Sequence, residues 1–346
     1  MMLSGYENAW SELNGLLRRI EGADGGLSAA FSELQRQQRE AGFINDGLER
    51  VERYYFQHPD DPLKFFRVQY NPKRALRFNG AGRTNAPAGT VPSNDGCFLC
   101  RDNVRWQQRG AQLGYEIDLP CSLYIAWMNP FPLLPMHVVV ASAEHRSQDW
   151  IFRGKGDSDA PLILGDFLEI ANRLPGHVGY FNGVDSGASI PGHLHFQFCK
   201  RPQDAPEFPL EIAARRSTSN VSDSGLVEEY PLAGAFWRGS REDVFNRAWE
   251  WIEAWAHLNR NRLRALTANL VVSKDKADGD LILYFIPRDR GLARSGNLTE
   301  QIGGLEVLGE FVFSSQVEKR LLDDGSVDYF TIEEWLARVH TPLYVE

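Results

Sequence analysis

Two histidines and a glutamine alternate in the stretch Gly187-Ala188-Ser189-Ile190-Pro191-Gly192-His193-Leu194-His195-Phe196-Gln197-Phe198. Alternate side chains of a β-strand share a face. The spacing therefore predicts His193, His195 and Gln197 on one side, with Leu194, Phe196 and Phe198 in the core. A neutral imidazole is a sound nucleophile near pH 7. The Gly-Ala-Ser loop ahead of the strand can add the Ser189 hydroxyl and the backbone N–H groups around Gly187 and Ala188. Such donors suit a phosphate. The plainer reading is a half-exposed strand that happens to carry two histidines. Three polar side chains in a row directly behind a Gly/Ser loop make it the weaker one.

A second cluster is possible around Cys97-Phe98-Leu99-Cys100. Two thiolates at this spacing can bind one zinc ion, and two histidines from elsewhere would complete a tetrahedron. The alternative is a pair of buried free thiols. A redox role fits less well, because no strand-then-helix context of the thioredoxin kind follows the pair. His137, in a Pro-Met-His turn, is either another ligand or a residue packed beside the histidine strand.

The elements that must position these residues follow from periodicity and turn signals. Apolar residues recur at helical spacing through residues 5–56, and the Gly-rich GADGG at 22–26 divides two helices. Residues 65–78 alternate like a strand around Pro72, and 79–96 form a Gly/Pro/Asn-rich loop. Two apolar strands follow within SLYIAWMNPFPLLPMHVVVAS, then a helix over 160–173, the strand HVGYFNGV and the strand HLHFQFCK. A helix over 241–261 and the strands LTANLVVSK and LILYFIPR repeat that order without a second HxHxQ. The expected class is α+β, with two tandem antiparallel-sheet units and flanking helices. The expected organisation is an N-terminal helical segment (1–60), a catalytic unit (61–215) and a degenerate second copy (216–346).

Composition narrows the function. The chain has 346 residues, with 46 acidic against 37 basic side chains and a net charge of −9. An acidic balance argues against a nucleic-acid or anionic-membrane binder. It leaves room for a small phosphorylated ligand, which a few local donors can hold. The first residues lack a basic-then-apolar leader, and no run reaches the ~18 apolar residues of a membrane span. The expectation is a soluble cytoplasmic protein, where a close cysteine pair favours metal binding over a disulfide.

HLHFQ behind a Gly/Ser loop resembles the transferase branch of the histidine-triad superfamily. That branch includes galactose-1-phosphate uridylyltransferase, diadenosine tetraphosphate phosphorylase and GDP-hexose phosphorylases. The resemblance extends more weakly from Gln69-Tyr70-Asn71-Pro72 to Arg288. Gly192 departs from it, standing where many relatives have Asn or another polar residue.

The resemblance implies a histidine-triad-like fold in which His195 attacks the α-phosphorus of a nucleotide and Gln197, Ser189 and the loop amides hold the phosphate. It implies zinc ligation by Cys97, Cys100, His145 and His193, with a structural role. It makes Asn182 a ribose or phosphate contact, although a turn-forming Asn-Gly explains that residue nearly as well. Arg74, Arg77 and Arg288 become candidate phosphate or leaving-group contacts. Spacing alone reads Arg74 and Arg77 as solvated, and Arg288 could equally be a surface residue at a strand end. Gln197 stands where hydrolases of the group have a third histidine. An amide cannot protonate a leaving group, so transfer or phosphorolysis is expected over hydrolysis.

The implied substrates are a nucleotide or nucleotide sugar with a phosphate or sugar-phosphate acceptor, and a homodimer is compatible with the pairing of subunits among relatives. The rival functions are a nucleotide hydrolase of the same fold and a zinc-stabilised nucleotide-binding protein without turnover.

Overall fold

In the N-terminal helix, Tyr6, Trp10, Leu13 and Leu17 lie at helical spacing and all are buried. The computed structural model describes residues 3–44, 48–78, 86–106, 112–149, 159–217, 223–292 and 301–343. In chain order its first elements are α1 (Leu3–Ile20), α2 (Gly26–Glu40), β1 (Glu52–His58), β2 (Asp61–Tyr70), the short α3 (Arg101–Val104), β3 (Gly114–Asp118), β4 (Leu123–Met128) and β5 (Val138–Ser142). Then come α4 (Ala160–Asn172), β6 (His177–Asn182), β7 (His195–Lys200), α5 (Pro209–Arg216), β8 (Ser224–Leu226), β9 (Ala235–Gly239) and α6 (Arg241–Leu258). The last are β10 (Leu266–Lys274), β11 (Leu281–Asp289), α7 (Gly304–Val307), β12 (Glu310–Phe313), α8 (Gln316–Asp323) and α9 (Tyr329–Ala337).

The chain divides into two compact units. The first comprises residues 1–49, 73–147 and 192–200. Its strands run in the order β3-β4-β5-β7, all antiparallel. The helix α1 covers the free edge of β3. The Asn14 side chain donates to the Gly114 carbonyl (3.0 Å) and accepts from the Glu116 N–H (2.8 Å), satisfying edge groups that would otherwise template pairing. Trp10 packs on Trp127 of β4 and donates from its indole to Glu116 at 2.9 Å. Apolar side chains such as Tyr124, Val138, Val140 and Phe196 fill the core of this unit.

The second unit comprises residues 50–72, 148–191 and 201–346. One group of its strands is ordered β6-β10-β11-β9-β8, antiparallel throughout. A smaller sheet, β1-β2-β12, adds a parallel β2/β12 pair. The helices α4 and α6 pack on the larger group. Ser240 caps α6 by accepting from the Asp243 N–H at 3.2 Å. In the smaller sheet, Arg67 and Glu310, both buried, pair across β2 and β12 at 3.0 Å, with Gln69 donating to the same carboxylate at 3.0 Å.

Mixed helix and antiparallel sheet is the class expected. Two local expectations need correction. The helical reading of 5–56 overruns, because α2 ends at Glu40 and Glu52–His58 is a strand. ERYYFQH carries consecutive aromatics of high β-propensity, and its pairing with β2 outweighs the scattered apolar residues that mimic helical spacing. The strand-like reading of 65–78 stops at Tyr70, and Pro72–Phe78 forms a tight 3-10 turn instead. No described helix is long and apolar enough to cross a membrane.

Candidate functional site

The first unit holds the histidine strand. His195 and Gln197 sit on β7, opposite Ala141 and Val139 of β5. Phe196, between them, and Phe198, after Gln197, are both buried. His193 differs from expectation, since it precedes the strand, which begins at His195. The Leu194 N–H and carbonyl bond to the Arg146 carbonyl (2.5 Å) and the Ser142 N–H (3.0 Å), which fixes the entry.

His195 is buried, and its Nδ1 lies 2.8 Å from the His193 carbonyl. A carbonyl only accepts, so Nδ1 carries the proton and Nε2 carries the lone pair. Burial lowers the His195 pKa to about 4, only partly opposed by that hydrogen bond. The ring is therefore neutral at pH 7, the form a nucleophile needs.

Gln197 is oriented by His137. The Leu133 N–H donates to His137 Nδ1 at 3.1 Å, so the proton of this ring is on Nε2, which faces Gln197 Oε1 at 2.9 Å. Burial, with Arg74 nearby, lowers the His137 pKa to about 3 and keeps this tautomer neutral. With Oε1 taken by His137, the other arm of the amide is its NH2 donor. His137 is thus no metal ligand in this arrangement, and its orienting role was open in the sequence.

Cys97, Cys100, His145 and His193 converge. Their ligating atoms all lie within 4.8 Å of one another. Cys97 Sγ is 3.3 Å from His193 Nδ1, and Cys100 Sγ is 3.3 Å from His145 Nδ1 and 3.6 Å from His193 Nδ1. Zn–S and Zn–N bonds meeting at a tetrahedral angle give sulfur–nitrogen separations of about 3.6 Å. His193 Nε2 donates to the Ser142 carbonyl at 2.8 Å, which leaves Nδ1 as its ligating nitrogen. A hydrogen bond from Cys100 pulls the Cys97 thiol down to about 3, against the effect of burial. A thiol pair sharing one proton beside two imidazoles is a donor set suited to zinc, which would displace that proton.

The loop that presents the cysteines is built for the turn. Asn94, Asp95 and Gly96 all adopt positive φ (48°, 53° and 78°) just ahead of Cys97. The buried Asn103 amide ties the turn together by donating to the Ser93 (2.7 Å) and Cys97 (2.9 Å) carbonyls.

The second unit holds the loop that precedes the histidines. Asn182 ends β6 opposite Asn269 of β10. Asn269 Nδ2 donates to Asn182 Oδ1 (2.9 Å) and to the Ser186 carbonyl (2.8 Å). Asn182 Nδ2 donates to the Gly187 carbonyl at 3.2 Å. Arg288 Nη1 donates to Asn269 Oδ1 (2.7 Å) and to the Ile302 carbonyl (2.9 Å). Gln148 grips both ends of the loop, through Asn182 O (2.8 Å) and Pro191 O (3.1 Å). Gly187 has φ +96°, and a Cβ there would lie 2.3 Å from Gly303 Cα, so both conformation and space demand glycine.

The remaining candidates fall in different places. Ser189 is exposed and Ala188 buried within this loop. Arg74 is buried rather than solvated and donates to the Phe131 carbonyl at 2.8 Å. Arg288 is fully buried as well, so the surface reading of it fails. The Arg77 side chain lies outside the described residues. Sequence reasoning missed Asn103, Gln148 and Asn269. The one signal was Asn269, a polar residue inside the otherwise apolar strand LTANLVV.

Comparison with known proteins adds the fold. Residues 34–200 match a domain family described as a domain of unknown function, DUF4922. No curated protein matches the chain in sequence. Yeast Ap4A phosphorylase Apa2 in complex with AMP aligns at 14% identity and a TM-score of 0.58, covering 90% of this chain and 95% of that one. The same yeast enzyme in complex with Ap4A aligns at 14% identity and a TM-score of 0.56, covering 90% and 97%. A uridylyltransferase mutant aligns at 12% identity and a TM-score of only 0.34, covering 82% and 96%. With antiparallel strands and helices arranged as in the yeast phosphorylase, the chain has a histidine-triad-like fold.

Proposed function

We propose that the protein is a nucleotidyltransferase or phosphorylase that works through a covalent nucleotidyl-histidine on His195. The observation that carries this reading is the His195 ring itself. It is neutral, its proton lies on Nδ1 toward the His193 carbonyl, and Nε2 carries the lone pair that would attack phosphorus.

In the first half-reaction, Nε2 attacks the α-phosphorus of a nucleoside diphosphate sugar or dinucleoside polyphosphate. The N–P bond forms as the bond from phosphorus to the bridging oxygen breaks, and the leaving group takes that electron pair. The ring becomes cationic, and the Nδ1–H bond to the His193 carbonyl stabilises it. In the second half, an oxygen of phosphate or a sugar phosphate attacks phosphorus, the N–P bond breaks and Nε2 recovers its lone pair.

Gln197 shapes the choice of leaving group. Its amide can donate to the crowded phosphoryl oxygens but cannot protonate what leaves. A phosphate-type group, with a second pKa of about 6, departs without that proton. An alkoxide would need it. Phosphoanhydride substrates follow, and the yeast enzyme that shares the fold was crystallised with Ap4A and AMP. The Ser189 hydroxyl, the Gly187 and Ala188 backbone and Asn182 are assigned to the nucleotide's phosphates and ribose. Arg74 supports the His137 loop.

Cys97, Cys100, His145 and His193 would hold a zinc ion that ties the cysteine loop to the entrance of the catalytic strand, a structural contribution. In this reading residues 61–215 form the catalytic half. Residues 216–346 form a copy that keeps the strand-helix-strand-strand order and lacks the nucleophile.

The test is a panel of ADP-, GDP- and UDP-sugars and Ap4A, with and without phosphate. Phosphate-dependent turnover is expected, with acid-labile NMP label mapping to His195 by mass spectrometry. A phosphate-independent rate, or label on another side chain, would overturn the assignment.

A further inference from the structure

Asn269 and Arg288 form a buried polar relay on the strands β10 and β11, and nothing in the proposed chemistry yet uses it. Both side chains are fully buried. Burying a guanidinium is costly unless it holds something in place. Among the described residues no carboxylate hydrogen-bonds Arg288, and burial lowers its pKa to about 10. Its Nε and Nη2 also lack hydrogen-bond partners among the described residues. Among the described residues its hydrogen bonds both come from Nη1, to Asn269 Oδ1 and Ile302 O.

This one-sided arrangement decides which way two amides point. Arg288 donates only, so the Asn269 atom facing it must be oxygen. Asn269 Nδ2 then faces Asn182 Oδ1 and Ser186 O, both acceptors. That in turn fixes Asn182 with its Nδ2 toward the Gly187 carbonyl. Arg288 grips Ile302 in the same step, and the following Gly303 packs against Gly187. Each amide orientation is dictated by the one before, and the chain of constraints starts at Arg288.

We propose that Asn269, oriented by Arg288, is a positioning residue that sets Asn182 and the Ser186-Gly187 backbone in the form that receives the nucleotide. The proposal rests on the nucleotidyl-transfer reading above. It assigns Arg288 a role inside the fold rather than at the leaving group.

The experiment is a double-mutant cycle in the full chain with Asn269→Asp and Asn182→Ala. It reads kcat and KM for Ap4A plus phosphate, and AMP affinity by calorimetry. Asp keeps the acceptor for Arg288 but loses both donors, so Asn182 must turn away from Gly187. Asn269→Asp should lower kcat/KM at least tenfold, mostly through KM, and weaken AMP binding by a similar factor. The same change in the Asn182→Ala background should add less than twofold. A single variant at wild-type kcat/KM, or two losses that simply multiply, would overturn the relay.

Should Asn269→Asp not fold, NMR of the wild-type protein decides the matter. The Asn269 side-chain amide protons should be protected from exchange and show contacts to Asn182, and fast exchange there would overturn the relay without any variant. A wild-type chain that neither binds AMP nor turns over any member of the substrate panel sinks the transfer reading and this proposal with it. Wild-type turnover with an unaffected Asn269→Asp sinks this proposal alone.

Discussion

His193 and His195 stand two residues apart, both buried, and each gives one ring N–H to a backbone carbonyl. They use opposite nitrogens. His193 donates from Nε2 to Ser142 and turns Nδ1 to the cysteines. His195 donates from Nδ1 to His193 and carries its lone pair on Nε2. Identical side chains in neighbouring positions thus acquire different chemistry from the carbonyl each one meets. The cysteine–histidine cluster and the proposed nucleophile are joined by that short piece of backbone, since the carbonyl that orients His195 belongs to His193 of the cluster.

Four experiments test how separate the two histidines are. The largest effect is expected from His195→Gly, which removes the nucleophile and should cut turnover by more than about 10³-fold. Its zinc content should stay equal to wild type by elemental analysis, and an NMP-imidazolide should partly restore transfer. Zinc loss in this variant would mean that the two sites are one.

Gln197→Glu replaces a donor with a negative charge facing phosphate. Loss of one such donor costs about 10²-fold in kcat, and the added charge should deepen the effect. A rate within threefold of wild type would remove Gln197 from the phosphate.

His193→Ala should abolish stoichiometric metal binding, lower the thermal midpoint and reduce turnover less than His195→Gly does. An unchanged metal content would break the Cys2His2 assignment.

The smallest effect belongs to His137→Phe, which frees the Gln197 amide to rotate. Loss of an orienting partner of this kind costs about tenfold. This variant also has a pH signature. Burial holds His137 near pKa 3, below its ordinary value of 6.5. The unfolded chain binds its proton first, so folding stability contributed here is present above pH 6.5 and drains away as pH falls toward 3. Thermal unfolding of wild type should show that acid limb, and His137→Phe should flatten it. An identical limb in both proteins would assign the proton uptake elsewhere.

Much of this is legible in the sequence. The alternation located the histidine strand from His195 onward, and the Cys97/Cys100 spacing pointed to the thiol pair of a cluster that could hold a metal. Strand and helix positions in the central and C-terminal stretches followed from apolar periodicity. Misreadings arose where local pattern and long-range pairing compete. Residues 52–58 carry aromatics of high β-propensity, but only the pairing with β2 makes that local preference outweigh the scattered apolar residues that mimic helical spacing. The arginines at 74 and 288 looked like surface cations, because sequence contains no term for which carbonyls a guanidinium will meet after folding.

Residue type and short spacing determined which groups could act: an imidazole two residues from another, an amide two further on, two thiols on one turn. These are local facts that backbone periodicity transmits directly. Tertiary structure alone decided which nitrogen of each ring is occupied, which way Gln197, Asn182 and Asn269 turn their amides, and that His145 comes to Cys100. Apart from His195, whose acceptor is two residues away, those outcomes depend on partners 45 to 87 positions distant in the chain. A polar group's direction is set by the partner it finds once water is excluded.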